Sequence, residues 1–120
     1  MKIETIDKII RSFYKKAMSD ILIGYQFRVI DDFEEHIPKI VSFWELQINK
    51  TITNKSHLPF NILKKHAPLK LNTGEVFRWV VLFENTLNEF IQDNSITEED
   101  KIHWMKLVEF FKERLLKSLS

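Results

Sequence analysis

The spacing of apolar residues and the scarcity of helix-breaking residues limit this chain to α-helices. Its 120 residues include only two glycines and three prolines, and no stretch alternates strictly between apolar and polar side chains. Strict alternation is the pattern of a half-buried strand, whereas apolar residues three and four positions apart form one face of a helix. The sequence therefore predicts an all-α protein, and its length predicts a single domain over residues 1–120.

Charge and composition exclude several classes of function. The net charge is +1 and no run of like charge stands out, which argues against nucleic acid as the partner. Cysteine is absent, which excludes disulfides, thiolate-ligated haem, thiolate zinc sites and cysteine-held iron–sulfur clusters. No apolar run has the length of a signal peptide or of a membrane span, so we expect no membrane insertion. A chain without cysteine is compatible with a reducing cytoplasm, where we expect this protein.

Aromatic residues are unusually frequent. Ten Phe, three Trp and two Tyr occur in the chain, and such side chains are difficult to pack against one another without gaps. Two interpretations follow: a tightly packed aromatic core, or a helical shell around a flat apolar group.

The apolar periodicity divides the chain into segments. The predicted helices are about Thr5–Asp20 with Thr5 as N-cap, a turn with a short helix in 20–28, a helix starting at Asp31 or Asp32, a short helix 61–66, a long helix from about Thr73 to Asp93, and a last helix from about Glu98 to Lys117. Polar residues 50–61 predict a loop. The last helix begins with a capping box at Ser95…Glu98 or at Thr97…Asp100.

Each predicted helix has an apolar face. The residues expected to point inward are Ile6, Ile9, Ile10, Phe13, Ala17 and Met18 in the first helix, Phe33, either His36 or Ile37, Ile40, Val41 and Trp44 in the next, with Phe43 flanking, and Val76, Phe77, Val80, Val81, Phe83, Leu87, Phe90 and Ile91 in the long helix. In the last helix they are Ile102, Met105, Val108, Phe111 and Leu115, with Trp104, Phe110 and Leu116 alongside. Tyr14 should also point inward, and His103 should be exposed. Tyr25 fits a packing role and a functional role equally well.

Pro38 is an anomaly in the helix that starts near Asp32. A proline beyond the first turn removes a hydrogen bond and disfavours helical angles in the residue before it, here Ile37. Either a short helix ends at Ile37 and a second begins at Pro38, or one helix is kinked there. His36 lies immediately before this point.

Few catalytic motifs are present. There is no glycine-rich phosphate loop, no motif supporting a serine triad, and no closely spaced histidine pair of the zinc type. What remains is His66 before a proline-containing turn, a polar trio on other helices (Tyr14, His36 and Trp79), and many flat apolar side chains. A haem pocket needs such a set, because an imidazole binds the iron while O–H and N–H donors on the other face stabilise the partial negative charge of bound dioxygen.

Four segments carry a resemblance to a known family. They are Phe13-Tyr14, the run from His36 through Pro38 to Phe43-Trp44, the run Leu63-Lys64-Lys65-His66, and the run from Phe77 to Thr86. In these segments, and over roughly Ile6 to the end of the chain, the sequence resembles the third group of truncated haemoglobins. The resemblance also accounts for Pro38, since a proline is at home there in this group.

The resemblance implies a two-over-two helical sandwich, a shortened globin fold, around haem b. His66 matches the proximal ligand of the iron, and Tyr14, His36 and Trp79 match the distal pocket. The residues expected beside the haem or its propionates are Phe43, Trp44, Phe77, Lys64, Lys65 and Arg78. The chain departs from the group in the loop before His66, where Leu58, Phe60 and Ile62 stand for a common Tyr-x-Gly-x-Pro run and Pro59 is displaced.

The function implied is binding of O2, CO and NO. Three distal donors favour slow release of oxygen, which suits ligand chemistry such as NO or peroxide detoxification, or sensing, better than bulk transport. Dioxygenase or peroxidase-like turnover would need an external reductase, because the chain has no fused reductase domain. The alternative is a haem-free helical module that binds a partner protein, in which His66 and Trp79 are packing residues.

Overall fold

The computed structural model describes residues 1–28, 33–55 and 72–119, apart from the side chains of Phe27 and Phe33. The helices in these ranges are α1 (Ile3–Ser19), α2 (Gly24–Phe27), α3 (Phe33–Asn49), α4 (Thr73–Gln92) and α5 (Glu98–Ser118). No strand occurs in these ranges, which confirms the all-α prediction for them. The short helix expected at 61–66 lies outside the described residues.

Two helix pairs form the body of the fold. Helix α1 packs along α3, and α4 packs along α5. The pairs contact each other where α1 meets α4 and where α3 meets α5, and α2 packs on α1. This is the two-over-two arrangement that the sequence resemblance implied.

The helix ends follow local capping rules. Helix α1 begins at Ile3 rather than at the predicted Thr5, because the N–H of Thr5 already donates to the carbonyl of Lys2 at 3.1 Å. Of the two capping boxes considered for α5, the structure contains Thr97…Asp100. The Thr97 hydroxyl accepts from the N–H of Asp100, and the Asp100 carboxylate accepts from the N–H of Thr97, both at 3.1 Å.

Pro38 lies inside α3, which runs without a break from Phe33 to Asn49. The alternative of two separate helices is therefore wrong, and the short helical segment before the proline continues through it. Ile37 stays in the helix and is buried, so packing against the core compensates for the restriction that a following proline imposes.

An aromatic cluster occupies the centre of the described core. The Phe13 and Phe83 rings lie 4.5 Å apart between centroids, Trp44 lies 5.2 Å from Phe83, and Trp104 lies 5.6 Å from Phe83 and 5.7 Å from Trp44. Trp104 is fully buried, and its indole Nε1 has no hydrogen-bond partner in the described part of the chain. The abundant aromatic residues thus form a tight core at this level of the molecule.

The inward face of α5 differs from the predicted one at its start, while Val108, Phe111 and Leu115 are buried as predicted. Its buried residues are Trp104, Val108, Phe111 and Leu115, whereas Ile102 is 53% exposed. Trp104 lies two positions, or about 200°, around the helix from Ile102. The much larger indole of Trp104 is buried in place of Ile102. The start of α5 is therefore rotated about its axis relative to the orientation that the sequence predicted.

Helix α4 also buries a narrower face than predicted. Val76, Phe83 and Leu87 are buried as expected, but Phe77 and Val81 are exposed at 48% and 44%. These two residues lie four positions apart on one side of the helix. His103 on α5 is exposed, as predicted.

Gly24, the first residue of α2, allows the close approach of α2 to the end of α1. A Cβ built there would lie 2.7 Å from the carbonyl oxygen of Met18 and 2.6 Å from Nη1 of Arg28. We therefore expect Gly24→Ala to lower the free energy of unfolding by about 1–3 kcal/mol, the usual cost of overpacking, measured by urea denaturation.

Gly74→Ala is the matched control for this prediction. A Cβ at Gly74 would meet only Oδ1 of Asn72 at 3.4 Å, and alanine favours the helix over glycine by about 1 kcal/mol. The control variant should keep or gain stability. Equal stability of the two variants would show that α2 does not depend on close packing at Gly24.

Candidate functional site

The three polar residues predicted for the distal pocket come from three helices. Tyr14 lies on α1, His36 on α3 and Trp79 on α4, and each is half-buried. Tyr14 and Trp79 pack against the apolar core. A half-buried phenol, imidazole and indole present donor groups at the edge of a core without being enclosed by it.

The Phe13–Phe83 contact brings Tyr14 and Trp79 to the same aromatic cluster. Tyr14 lies edge-on to Phe13, with centroids 5.3 Å apart and planes at 89°. Trp79 lies edge-on to Phe83, at 5.7 Å and 73°. The phenol of α1 and the indole of α4 therefore flank one pair of rings in contact.

Burial raises the pKa of the Tyr14 hydroxyl far above its ordinary value. Removing the phenolate from water costs free energy, so the neutral phenol is favoured. Tyr14 therefore keeps its proton throughout the physiological pH range and can act as a hydrogen-bond donor.

His36 is positioned by the segment of α3 that contains Pro38. Its neighbour Ile37 is buried, and α3 packs along α1 at this level of the sandwich. His36 itself is half-buried. Its predicted place in the same pocket as Tyr14 stays a prediction.

Phe43 and Trp44, predicted to flank the haem, are buried in the core. Their rings lie 5.0 Å apart, and Phe111 of α5 lies 5.1 Å from Phe43 and 5.9 Å from Trp44. Trp44 also contacts Phe83. The pair thus joins α3 to α5, and contact of either ring with haem stays a prediction.

Arg78, predicted as a propionate partner, forms an ion pair with Asp20. Its Nε and Nη2 donate to Oδ2 of Asp20 at 2.9 and 2.7 Å. Oδ1 of Asp20 accepts the backbone N–H groups of Leu22 and Ile23. The hydrogen bonds from Arg78 hold the pKa of Asp20 below its usual range. In this arrangement the guanidinium joins α4 to the end of α1.

Phe77, predicted to lie beside the haem, is exposed near α5. Nζ of Lys112 lies 5.4 Å from the centroid of its ring. Phe77 is two positions from Trp79, which places it about 200° away around α4. A role for Phe77 in the pocket that Trp79 borders stays a prediction.

Several of the predicted site residues lie outside the described part of the chain. They are His66, Lys64, Lys65 and the preceding loop residues Leu58, Pro59, Phe60 and Ile62. The proximal role of His66 therefore stays a prediction.

A buried carboxylate fixes the chain where it leaves α3 towards that segment. Glu45 is buried, and its Oε1 accepts the backbone N–H of Thr53 at 2.7 Å. Its Oε2 accepts the hydroxyl of the same threonine. No sequence pattern predicts this contact, because the end of the helix separates Glu45 from Thr53.

A second polar cluster, also missed from the sequence, joins α2 to the first turn of α4. The Tyr25 hydroxyl donates to Oε2 of Glu75 at 2.5 Å, and Nε2 of Gln26 donates to the Tyr25 oxygen at 3.2 Å. Oε1 of Glu75 accepts the N–H of Asn72 at 3.0 Å. The hydrogen bond to Glu75 raises the pKa of Tyr25. The spacing Asn72…Glu75 is that of a capping box, but nothing in the sequence joins Tyr25 to it.

The search for other sites in the described ranges gave two negative results. No group of three or more His, Asp or Glu side chains there is arranged to hold a metal ion. None of the described helices combines the length and the apolar character that a membrane span requires.

Comparison with solved structures identifies the fold. The chain is similar to a group III truncated haemoglobin from Campylobacter jejuni, known from its crystal structure, with a TM-score of 0.81 and 24% sequence identity. The similarity covers 100% of this chain and 92% of that one. The resemblance seen in the sequence motifs is thus confirmed, and the fold is that of a truncated globin. No protein-family model and no curated protein matches the sequence.

The Asp20–Arg78 pair should make stability depend on pH in the acid range. The pKa of Asp20 is lowered from 3.8 in the folded protein, so its contribution is present above the unfolded-state pKa and is lost as the pH falls through the folded-state pKa. Asp20→Asn should lower the thermal midpoint at neutral pH and reduce the loss of stability on acidification.

Asp93→Asn removes the same charge from another turn and is the control. Oδ1 of Asp93 accepts the N–H of Ser95 at 2.9 Å in an exposed turn at the end of α4. Thermal melts at a series of pH values compare the two variants. If Asp20→Asn and Asp93→Asn behave alike, the Arg78 pair does not contribute to acid sensitivity.

Proposed function

We propose that this protein is a haem-binding globin that binds O2, CO and NO and uses them for ligand chemistry or sensing. The observation that carries the proposal is the truncated-globin fold over the whole chain, together with Tyr14 and Trp79 on one aromatic cluster at its centre. The C. jejuni protein named in the comparison is a haemoglobin. The proposed cofactor is haem b, and the proposed location is the cytoplasm.

The donor chemistry of the described residues fits a haem pocket. The fully buried rings of Phe13 and Phe83 pack against the phenol of Tyr14 and the indole of Trp79, which supply an O–H and an N–H. His66, on the opposite side by the sequence resemblance, would bind the iron through a ring nitrogen. When bound, haem supplies an iron that takes a diatomic ligand and changes its oxidation state.

The role of the chain itself is to hold donors in place. Tyr14 keeps its proton because burial raises its pKa, so it can donate a hydrogen bond to a ligand that gains negative charge. Trp79 adds a donor that cannot accept, and His36 adds an imidazole N–H. Such donors stabilise O2 more than CO, because bound O2 carries more negative charge.

Slow release of oxygen favours reaction or sensing over delivery. We propose NO or peroxide detoxification, as a dioxygenase or a peroxidase-like enzyme, or sensing. Turnover would draw electrons from an external reductase. Among the proposed site residues, Tyr14 on α1 and Trp79 on α4 are suited to a first experiment, because the structure describes both of them.

Visible absorption spectra of the ferric, ferrous and CO-bound protein should test the cofactor. We expect a strong Soret band that shifts on binding CO, and a weakened or altered band in His66→Ala, because the proposed ligand of the iron is removed. His103→Ala is the control, since His103 is exposed on α5. Absence of a Soret band after a folded sample has been supplied with haem would contradict the proposal. The alternative, a haem-free helical module that binds a partner protein, would then take its place.

Tyr14→Phe should speed the release of oxygen from the ferrous protein. Loss of a hydrogen bond to a charged acceptor costs about 1.5–3 kcal/mol, which corresponds to an off-rate raised about tenfold to a hundredfold. The measurement is flash photolysis or stopped-flow displacement, with CO as the internal control, whose off-rate should change much less. An unchanged oxygen off-rate would remove Tyr14 from the distal role.

A further inference from the structure

Tyr25 has a hydrogen-bonding environment that differs from that of a simple packing residue. About half of the side chain is exposed, yet its hydroxyl donates to the Glu75 carboxylate over only 2.5 Å. The phenol oxygen in turn accepts from Nε2 of Gln26 at 3.2 Å. The proton of Tyr25 thus faces a base, and its oxygen faces a donor.

Glu75 is fixed as a proton acceptor. It is 6% exposed, and its Oε1 is held by the N–H of Asn72 at the start of α4. Oε2 is left to accept from Tyr25. A carboxylate fixed in this way can take a proton without a change of position, as a general base does.

This arrangement meets the main requirement for one-electron oxidation of a tyrosine. A phenol that loses an electron becomes a strong acid, so oxidation is easy only when the proton has a base within hydrogen-bond distance. Glu75 supplies that base, and Gln26 stabilises charge on the phenol oxygen. The only other tyrosine in the chain, Tyr14, is half-buried against the Phe13 ring.

The position of Tyr25 suits transfer between solvent and the proposed haem pocket. Glu75 and Trp79 are four residues apart on α4, about 6 Å along the axis and on the same side of the helix. Tyr25 contacts Glu75 from α2 and exposes part of its ring to solvent. It thus joins the surface to the turn of α4 that precedes Trp79.

We propose that Tyr25 is a redox-active tyrosine at which the protein exchanges electrons with small soluble reductants. One electron leaves Tyr25 for a one-electron oxidant, the phenolic O–H bond breaks, and the proton moves to Oε2 of Glu75. A reductant from solution then returns one electron to the phenoxyl group, and Glu75 returns the proton. The inference deepens the proposed function, in which the haem protein oxidised by hydrogen peroxide is the oxidant.

The chemistry of Tyr25 can be tested without haem. A photogenerated ruthenium(III) tris-bipyridine complex is the one-electron oxidant, and transient absorption follows the tyrosyl radical in the full chain. We expect Glu75→Gln to slow radical formation about a hundredfold, the lower end of the effect of a positioned base. Tyr25→Phe should remove the fast phase, and His103→Ala, the control at an exposed position on α5, should keep it.

The wild-type protein in D2O provides a measurement that does not depend on folding of a variant. Coupled transfer of the proton should slow the fast phase in D2O. A fast phase that persists in Tyr25→Phe, or that is equally fast in folded Glu75→Gln and unchanged in D2O, would overturn the proposal. The Tyr25–Glu75 pair would then be only a structural link between α2 and α4.

The haem-loaded protein connects this site to the proposed function. After addition of hydrogen peroxide, electron paramagnetic resonance should show a tyrosyl radical that is absent in Tyr25→Phe and present in His103→Ala, whose side chain is exposed on α5. A radical confined to Tyr14 or to a tryptophan would overturn the proposed route. A chain that binds no haem would contradict the globin function, while the ruthenium experiment would still decide the role of Tyr25.

Discussion

The packing of the Phe13 ring against the Phe83 ring is the contact on which the rest of the structure depends. It joins α1 to α4 at a centroid distance of 4.5 Å, and Trp44 and Trp104 pack on Phe83 from the other two long helices. All four long helices therefore meet around one ring. Since Tyr14 and Trp79 lie edge-on to these two rings, the positions of both donors depend on the same contact that closes the core.

Two polar links hold the start of α4 against the segment that follows α1. Arg78 is bound by Asp20, and Glu75 is bound by Tyr25. Glu75 and Arg78 are three residues apart and so lie on neighbouring parts of one helix face. Because Trp79 follows directly, its position depends on two interactions that cross between α4 and the α1–α2 segment, in addition to its packing against Phe83.

The periodicity of apolar residues predicted where the long helices lie in the sequence, but it predicted less well which face of each helix is buried. The inward face of α1 was predicted correctly at Ile6, Ile9 and Phe13, because its apolar residues form a single stripe. In α5, either Ile102 or Trp104 could be the first residue of the buried face. Trp104 is the buried one because it packs against Trp44 and Phe83. The places of Tyr14 and Trp79 could be predicted from their helices, whereas the Asp20–Arg78 and Tyr25–Glu75 pairs join residues 58 and 50 positions apart.

Pro38 weakens the backbone hydrogen bonding in the first part of α3. Proline has no N–H to donate, so the carbonyl of Glu34 lacks its usual partner four residues along the helix. The turn that contains His36 is therefore held by one backbone bond fewer than the turns after it, which are anchored by Val41, Phe43 and Trp44 in the core. Local unfolding of this turn needs less free energy than opening of the rest of α3, and amide hydrogens near His36 should exchange with solvent while those near Trp44 remain protected.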